Sequence, residues 1–146
     1  MDEKTTRGLS RILEEMDDHT SADSFISEHA NNQADTFHEF LQNIIDEKHI
    51  NRSDVVKRCG ISSNYVYQIL SGAKGNPSRD KAIALCIASE MSYRETQKAL
   101  EIAGLAPLYP RDERDVRIAI AINKRIHDAL EVNLMLDNYN LSPLNI

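Results

Sequence analysis

A chain of 146 residues is long enough for one ordinary core with a tail, so one compact domain or two small fused modules are expected. No apolar run approaches the ~20 residues of a transmembrane helix, and the N-terminal MDEKTTRG is polar, so no membrane contact and a cytoplasmic location are expected. The formal net charge of −6 speaks against a simple nucleic-acid binder, yet the charge is unevenly spread: residues 1–47 carry −9, residues 48–81 carry +5 and the remainder −2.

Residues 1–34 read as an acidic N-terminal arm with weak helices. Leu9, Ile12, Leu13 and Met16 recur at i, i+3, i+4 and i+7, and Phe25 and Ile26 form a shorter cluster. A mostly solvated arm with one docked helix is the plain reading; a sharper one is that the arm screens the basic segment. A firm helix follows, with Phe37, Phe40, Leu41, Ile44 and Ile45 on one stripe and Asp35 or Thr36 as its cap.

Asn51 to Pro77 reads as two short helices joined by a tight turn. Ser53 is placed to cap the first, whose apolar residues are Val55, Val56 and Cys59. Gly60 supplies the left-handed end, Ile61 fills the corner, Ser62 caps the second helix, and Val66, Ile69 and Leu70 face the core. That spacing turns Ser63, Asn64, Tyr67 and Gln68 outward. The SGAKGNP loop then ends the helix, Pro77 blocks its continuation, and Ser78 is placed to cap the next.

From Arg79 the sequence repeats itself. Residues 79–91 align with 114–126 at an offset of 35, and residues 95–108 with 131–144 at an offset of 36. Gly104 meets Asn140, both tolerant of a left-handed cap, and Leu105, Pro107 and Leu108 meet Leu141, Pro143 and Leu144. Each unit reads as a helix apolar nearly all round, a turn, an amphipathic helix and a closing Leu-x-Pro-Leu. Two such hairpins are expected to stack, since neither buries its apolar face alone.

Catalytic signatures are missing: there is no glycine-rich phosphate loop, HExxH, CxxC or serine elbow. His19, His29, His38, His49 and His127 are scattered among charged neighbours, which predicts surface roles. Cys59 and Cys86 lie in apolar patterns and read as buried thiols. No enzyme activity, cofactor, metal or small-molecule ligand is expected.

Residues 37 to about 100 resemble the Xre family of lambda-repressor-like (Cro/CI-type) helix-turn-helix domains. The residues that carry the resemblance are Val55 and Val56, Gly60 and Ile61, Val66 and Ile69, then Ser71 and Gly72 followed by Pro77. The match spans under half of the chain. It implies an all-α fold: a five-helix DNA-binding domain over 35–108 whose second and third helices form the motif, preceded by the arm and followed by an added hairpin over 109–146.

It also implies a transcription regulator whose helix 62–70 enters the major groove of double-stranded DNA. Ser63, Asn64, Tyr67 and Gln68 then match base-reading positions, Asn and Gln suiting adenine. Arg52 matches a phosphate clamp; Tyr65, Ser71, the backbone of Gly72, Lys74 and Asn76 match further backbone-positioning sites. Where many members carry a buried Arg and Glu pair, this chain has Ile45 and Leu70. Losing one partner of such a pair costs about 3–5 kcal/mol, whereas replacing both is tolerated, so these two side chains are expected to meet in the core.

The reading helix has no Arg or Lys between Gly60 and Gly72, so affinity must come from its flanks. The family pairs on two half-sites, and the C-terminal hairpins are the natural surface for a homodimer or another protein partner, unless they only complete the monomer's core. The alternative is a helix-turn-helix adaptor that binds protein rather than specific DNA.

Overall fold

The structure, a computed structural model, describes residues 36–146; the acidic arm, its helical signals and Asp35 lie outside the described residues. Among the described residues there are seven helices and no strand: α1 (Phe37–Glu47), α2 (Arg52–Cys59), α3 (Ser63–Leu70), α4 (Arg79–Ala88), α5 (Tyr93–Ile102), α6 (Glu113–Asn123) and α7 (Ala129–Asn138). The described part of the chain is therefore all-α, and no helix in this range is long and apolar enough to cross a membrane.

Side-chain caps set most of the starts. Thr36, one of the two candidates for α1, accepts from the Glu39 N–H at 3.3 Å, and the expected caps Ser62 and Ser78 accept from Tyr65 at 3.3 Å and Lys81 at 3.4 Å. Ser92 and Glu95 close a reciprocal capping box on α5, and Asp112 and Asp128 cap α6 and α7. Ser53 is not a cap. The backbone is still extended at Asn51, whose carbonyl accepts from the Asp54 and Val55 N–H groups, so α2 begins at Arg52 and Ser53 lies inside its first turn.

The ends share one device. After α1, α4, α5, α6 and α7 the chain passes through a left-handed residue, respectively His49, Glu90, Gly104, Arg125 and Asn140, at φ between 55° and 70°. The next residue is apolar in each case, and its N–H reaches back into the finished helix, as Ile50 does to the Ile45 carbonyl at 3.0 Å and Leu141 to Leu136 at 2.9 Å. Three of these five positions pay the ~1–2 kcal/mol cost of a left-handed residue that is neither Gly nor Asn, which the cap's hydrogen bonds and apolar contact offset. Gly60 ends α2 at φ 72°, where glycine has no such penalty.

The core runs through all seven helices. Phe37, Leu41 and Ile45 of α1, Val55 of α2, Val66 and Ile69 of α3, and Ile83, Leu85 and Ile87 of α4 are fully buried, with Leu100, Ile118 and Leu136 from the last three helices. Ile45 and Leu70 are both buried in this core, and α1 packs against α3. Every residue of α4 from Ala82 to Ala88 is buried, as expected of a helix apolar all round. Its counterpart α6 departs from that expectation: Ile120 is exposed where Leu85 is buried.

The repeated units repeat their hydrogen bonds as well as their residues. Arg79 pairs with Asp115 at 2.8 Å, and Arg114 pairs with Asp80 at 3.0 Å, so each unit's arginine holds the other unit's aspartate. Each guanidinium also donates to the other end of its own unit, Arg79 to the Ala106 and Pro107 carbonyls and Arg114 to Ser142 and Pro143. Gln97 exchanges two hydrogen bonds with the backbone of Leu108, and Asn133 does the same with Leu144. Tyr109 N–H donates to Asp115 and Asn145 N–H to Asp80. These reciprocal pairs give the two hairpins an approximate two-fold relation. Burial alone would push the Asp80 carboxyl up, but Arg114, the Asn145 N–H and the charge of Arg79 hold it below its ordinary value.

The second hairpin is part of the same core. α7 packs on α2 and α4, α5 on α6, and Ile118, Ile122, Val132, Leu136 and Leu144 are buried. Completing the monomer is thus one role of residues 109–146. It leaves room for another, because Leu130 and Leu134 of α7 stay 56% and 67% exposed.

Candidate nucleic-acid interface

α3 is aimed by what it buries. With Val66, Ile69 and Leu70 in the core, Ser63, Asn64 and Tyr67 are exposed and Gln68 is half-buried. These four fall at i, i+1, i+4 and i+5 and so occupy one helical face, the arrangement expected of them from sequence. Their side chains offer hydroxyl and amide donors and acceptors, the equipment for recognising base edges.

The six expected positioning residues divide. Ser71, Gly72 and Asn76 have internal partners. The Ser71 hydroxyl donates to the Gln68 carbonyl at 3.1 Å and accepts from the Ala73 N–H at 3.3 Å. The Gly72 N–H donates to Ile69 at 3.1 Å, and the Asn76 amide donates to the Ala103 carbonyl at 3.1 Å. These bonds shape the loop after α3. Gly72 has a second reason to be glycine: at φ 78°, an added Cβ would lie 2.8 Å from Nε2 of His38.

Arg52 is held on the flank. Its guanidinium donates to the Gln42 Oε1 at 2.7 Å, and the Gln42 amide donates to the Leu70 carbonyl at 3.1 Å, so one glutamine joins the start of α2 to the last residue of α3. Tyr65 and Lys74 meet a residue that sequence reasoning passed over. The ammonium of Lys74 lies 5.0 Å from the centre of the Tyr65 ring, and that of Lys81, on α4, lies 4.5 Å from it. The only sequence signal for Lys81 was its place inside the basic segment. Burial pushes the Tyr65 phenol above its ordinary value, so it remains an O–H donor.

The structure also sorts the seven bases of residues 48–81. Lys48 pairs with Glu95 at 2.7 Å, Arg58 with Glu90 at 3.3 Å and Arg79 with Asp115 at 2.8 Å. These three are engaged within the fold, and Arg79 joins one hairpin to the other. Arg52, Lys57, Lys74 and Lys81 have no carboxylate partner among the described residues, and they are the cations left to meet an anion. On the other side of the fold, His127 sits 3.9 Å from Glu90; its imidazole is pushed down from its ordinary value, first by burial and then by nearby cations including Arg58, although Glu90 opposes this.

Both cysteines are buried with free thiols, and burial pushes each above its ordinary value, which suppresses the reactive thiolate. Comparison of the chain with protein-family models, with curated proteins and with solved structures finds no match.

Proposed function

We propose that this protein is a sequence-specific DNA-binding transcription regulator of the lambda-repressor-like, Xre type, with α2 and α3 as its helix-turn-helix and α3 as its major-groove reader. The observation that carries this reading is the make-up of α3 and its neighbours in the chain. Ser63, Asn64, Tyr67 and Gln68 lie on one face of α3, and Arg52, Lys57, Lys74 and Lys81, the cations without a carboxylate partner among the described residues of this segment, belong to the helices and loop adjoining it in the chain. Polar readers without charge, bordered by cations that can take phosphates, divide the labour between specificity and positioning.

A gel-shift with DNA from around its own coding region, at two salt concentrations, tests the reading. A specific shift that weakens with salt is expected, and no specific shift would sink it. Gln68→Ala or Asn64→Ala should remove about 1–3 kcal/mol of preference at one base pair. Arg52→Ala should weaken binding to all sequences alike. A changed sequence preference in the Arg52 variant would contradict the division of roles.

A protein-interaction role has its own support. Where the first hairpin has Arg94 and Lys98, the second has Leu130 and Leu134, and both leucines are more than half exposed. We assign this face to pairing with a second copy, which would present two reading helices to paired half-sites. Sedimentation of the intact chain should show a dimer that Leu134→Glu converts to a monomer. A monomer both free and on DNA would rule the pairing out, and a dimer that binds no specific DNA would favour the adaptor.

A further inference from the structure

We propose that Lys74, Lys81 and Tyr65 form a clamp for a single phosphodiester of the DNA backbone, which sets the position of α3 in the groove. The inference rests on α3 being the DNA reader and adds to that reading a site and a residue, Lys81, outside the motif. Two ammonium groups lie within 5.0 Å of one ring centre, and neither has a carboxylate partner among the described residues. Gathering two like charges without a counter-ion is unfavourable by itself; the ring's electron-rich face offsets part of the cost, and a bound anion would offset more.

The three groups come from separate elements, each with its backbone anchored in the fold. Tyr65 stands in the first turn of α3, half-buried, its N–H on the Ser62 cap. Lys74 sits on the loop whose shape is set by its own N–H on the Gln68 carbonyl at 3.2 Å and by Asn76 on Ala103. Lys81 belongs to α4, the most buried helix of the core. A phosphate gripped there would be tied to the loop and to α4 as well as to α3, so it would fix the angle of the reader.

A phosphodiester matches these donors, and the reading of α3 makes the DNA backbone its source. It carries one charge on two non-bridging oxygens, enough to take both ammonium groups, and the Tyr65 hydroxyl is a third donor nearby. The clamp also accounts for the lack of Arg and Lys on α3 itself: the positive charge is moved to a neighbouring helix, where it holds the backbone and leaves the groove face to neutral readers.

The test is the salt dependence of DNA affinity, measured with the intact chain and the duplex that shifts most tightly. Lys81→Met should weaken binding to every sequence alike with little change in the slope of log affinity against log salt, because Lys74 still holds the phosphate, and Lys81→Arg should restore the affinity. Lys74→Met together with Lys81→Met should lower the slope by about one, the value of one phosphate contact, without changing which sequence is preferred. Affinity and slope both untouched by the double change, with the thermal midpoint unchanged, would overturn the clamp while leaving α3 as the reader. A loss of two in the double variant would also overturn it, by showing two phosphates. Failure of the unaltered chain to bind any DNA would overturn the reading of α3 and the clamp with it.

Discussion

A chain ending at Leu108 should not melt cooperatively, although it retains the whole stretch that resembles a DNA-binding domain. Truncation there removes Ile118, Ile122, Val132, Leu136 and Leu144 from the core and strips α7 from α2 and α4. Burying each such side chain is worth about 1.5–3 kcal/mol, and a whole domain is stable by only about 5–15 kcal/mol. The loss is comparable to everything that holds the fold together. The cut also leaves Arg79 without Asp115 and Asp80 without Arg114. Circular dichroism melts of residues 1–108 and 1–146 would settle it: a sharp transition in the shorter chain would show that the second hairpin is an accessory.

Asp115→Ala is expected to be the most damaging single change among the polar residues. Its carboxylate accepts from two nitrogens of Arg79, at 3.2 and 2.8 Å, and from the Tyr109 N–H at 2.9 Å, and its side chain is only 7% exposed. Removing one partner of a buried pair costs about 3–5 kcal/mol, because the other charge stays behind without compensation. Asp80→Ala breaks the twin pair in a wetter place, where Asp80 and Arg114 are 23% and 19% exposed, and should cost about 1.5–3 kcal/mol, as for hydrogen bonds to charged groups. Urea unfolding of the two variants gives the comparison directly. Equal losses, or a larger loss for Asp80→Ala, would show that burial does not govern these pairs.

What was legible in the sequence was local. The caps at Ser62 and Ser78, the left-handed Gly60, Gly104 and Asn140, and the apolar faces of α1 and α3 depend on residues a few positions apart, and the structure matches them; for α1 the sequence offers Asp35 or Thr36, and Thr36 is the cap. Ser53 failed because serine is competent both as a cap and inside a first turn, and only the backbone at Asn51 decides. What the sequence hid was pairing at long range. Lys48 reaches Glu95, Arg58 reaches Glu90 and Arg79 reaches Asp115, so three of the seven bases in the apparent basic patch are engaged elsewhere. Lys81 was hidden for the same reason, since its meeting with Tyr65 joins residues sixteen positions apart on different helices. Ser71, Gly72 and Asn76 look like free donors in a loop, and only the folded loop reveals their internal partners.

The crossed arginine and aspartate pairs also bear on how far such a hairpin can be multiplied. Repeats that stack by translation leave an open edge at each end and can be lengthened copy by copy. Here the exchange runs both ways, so each hairpin satisfies its twin and is satisfied by it, and the set is closed at two. A third copy inserted after Ile146 would find neither an aspartate nor an arginine waiting for it. The exchange is complete between these two hairpins, so a further copy would have to find its partners on their loops or outer faces.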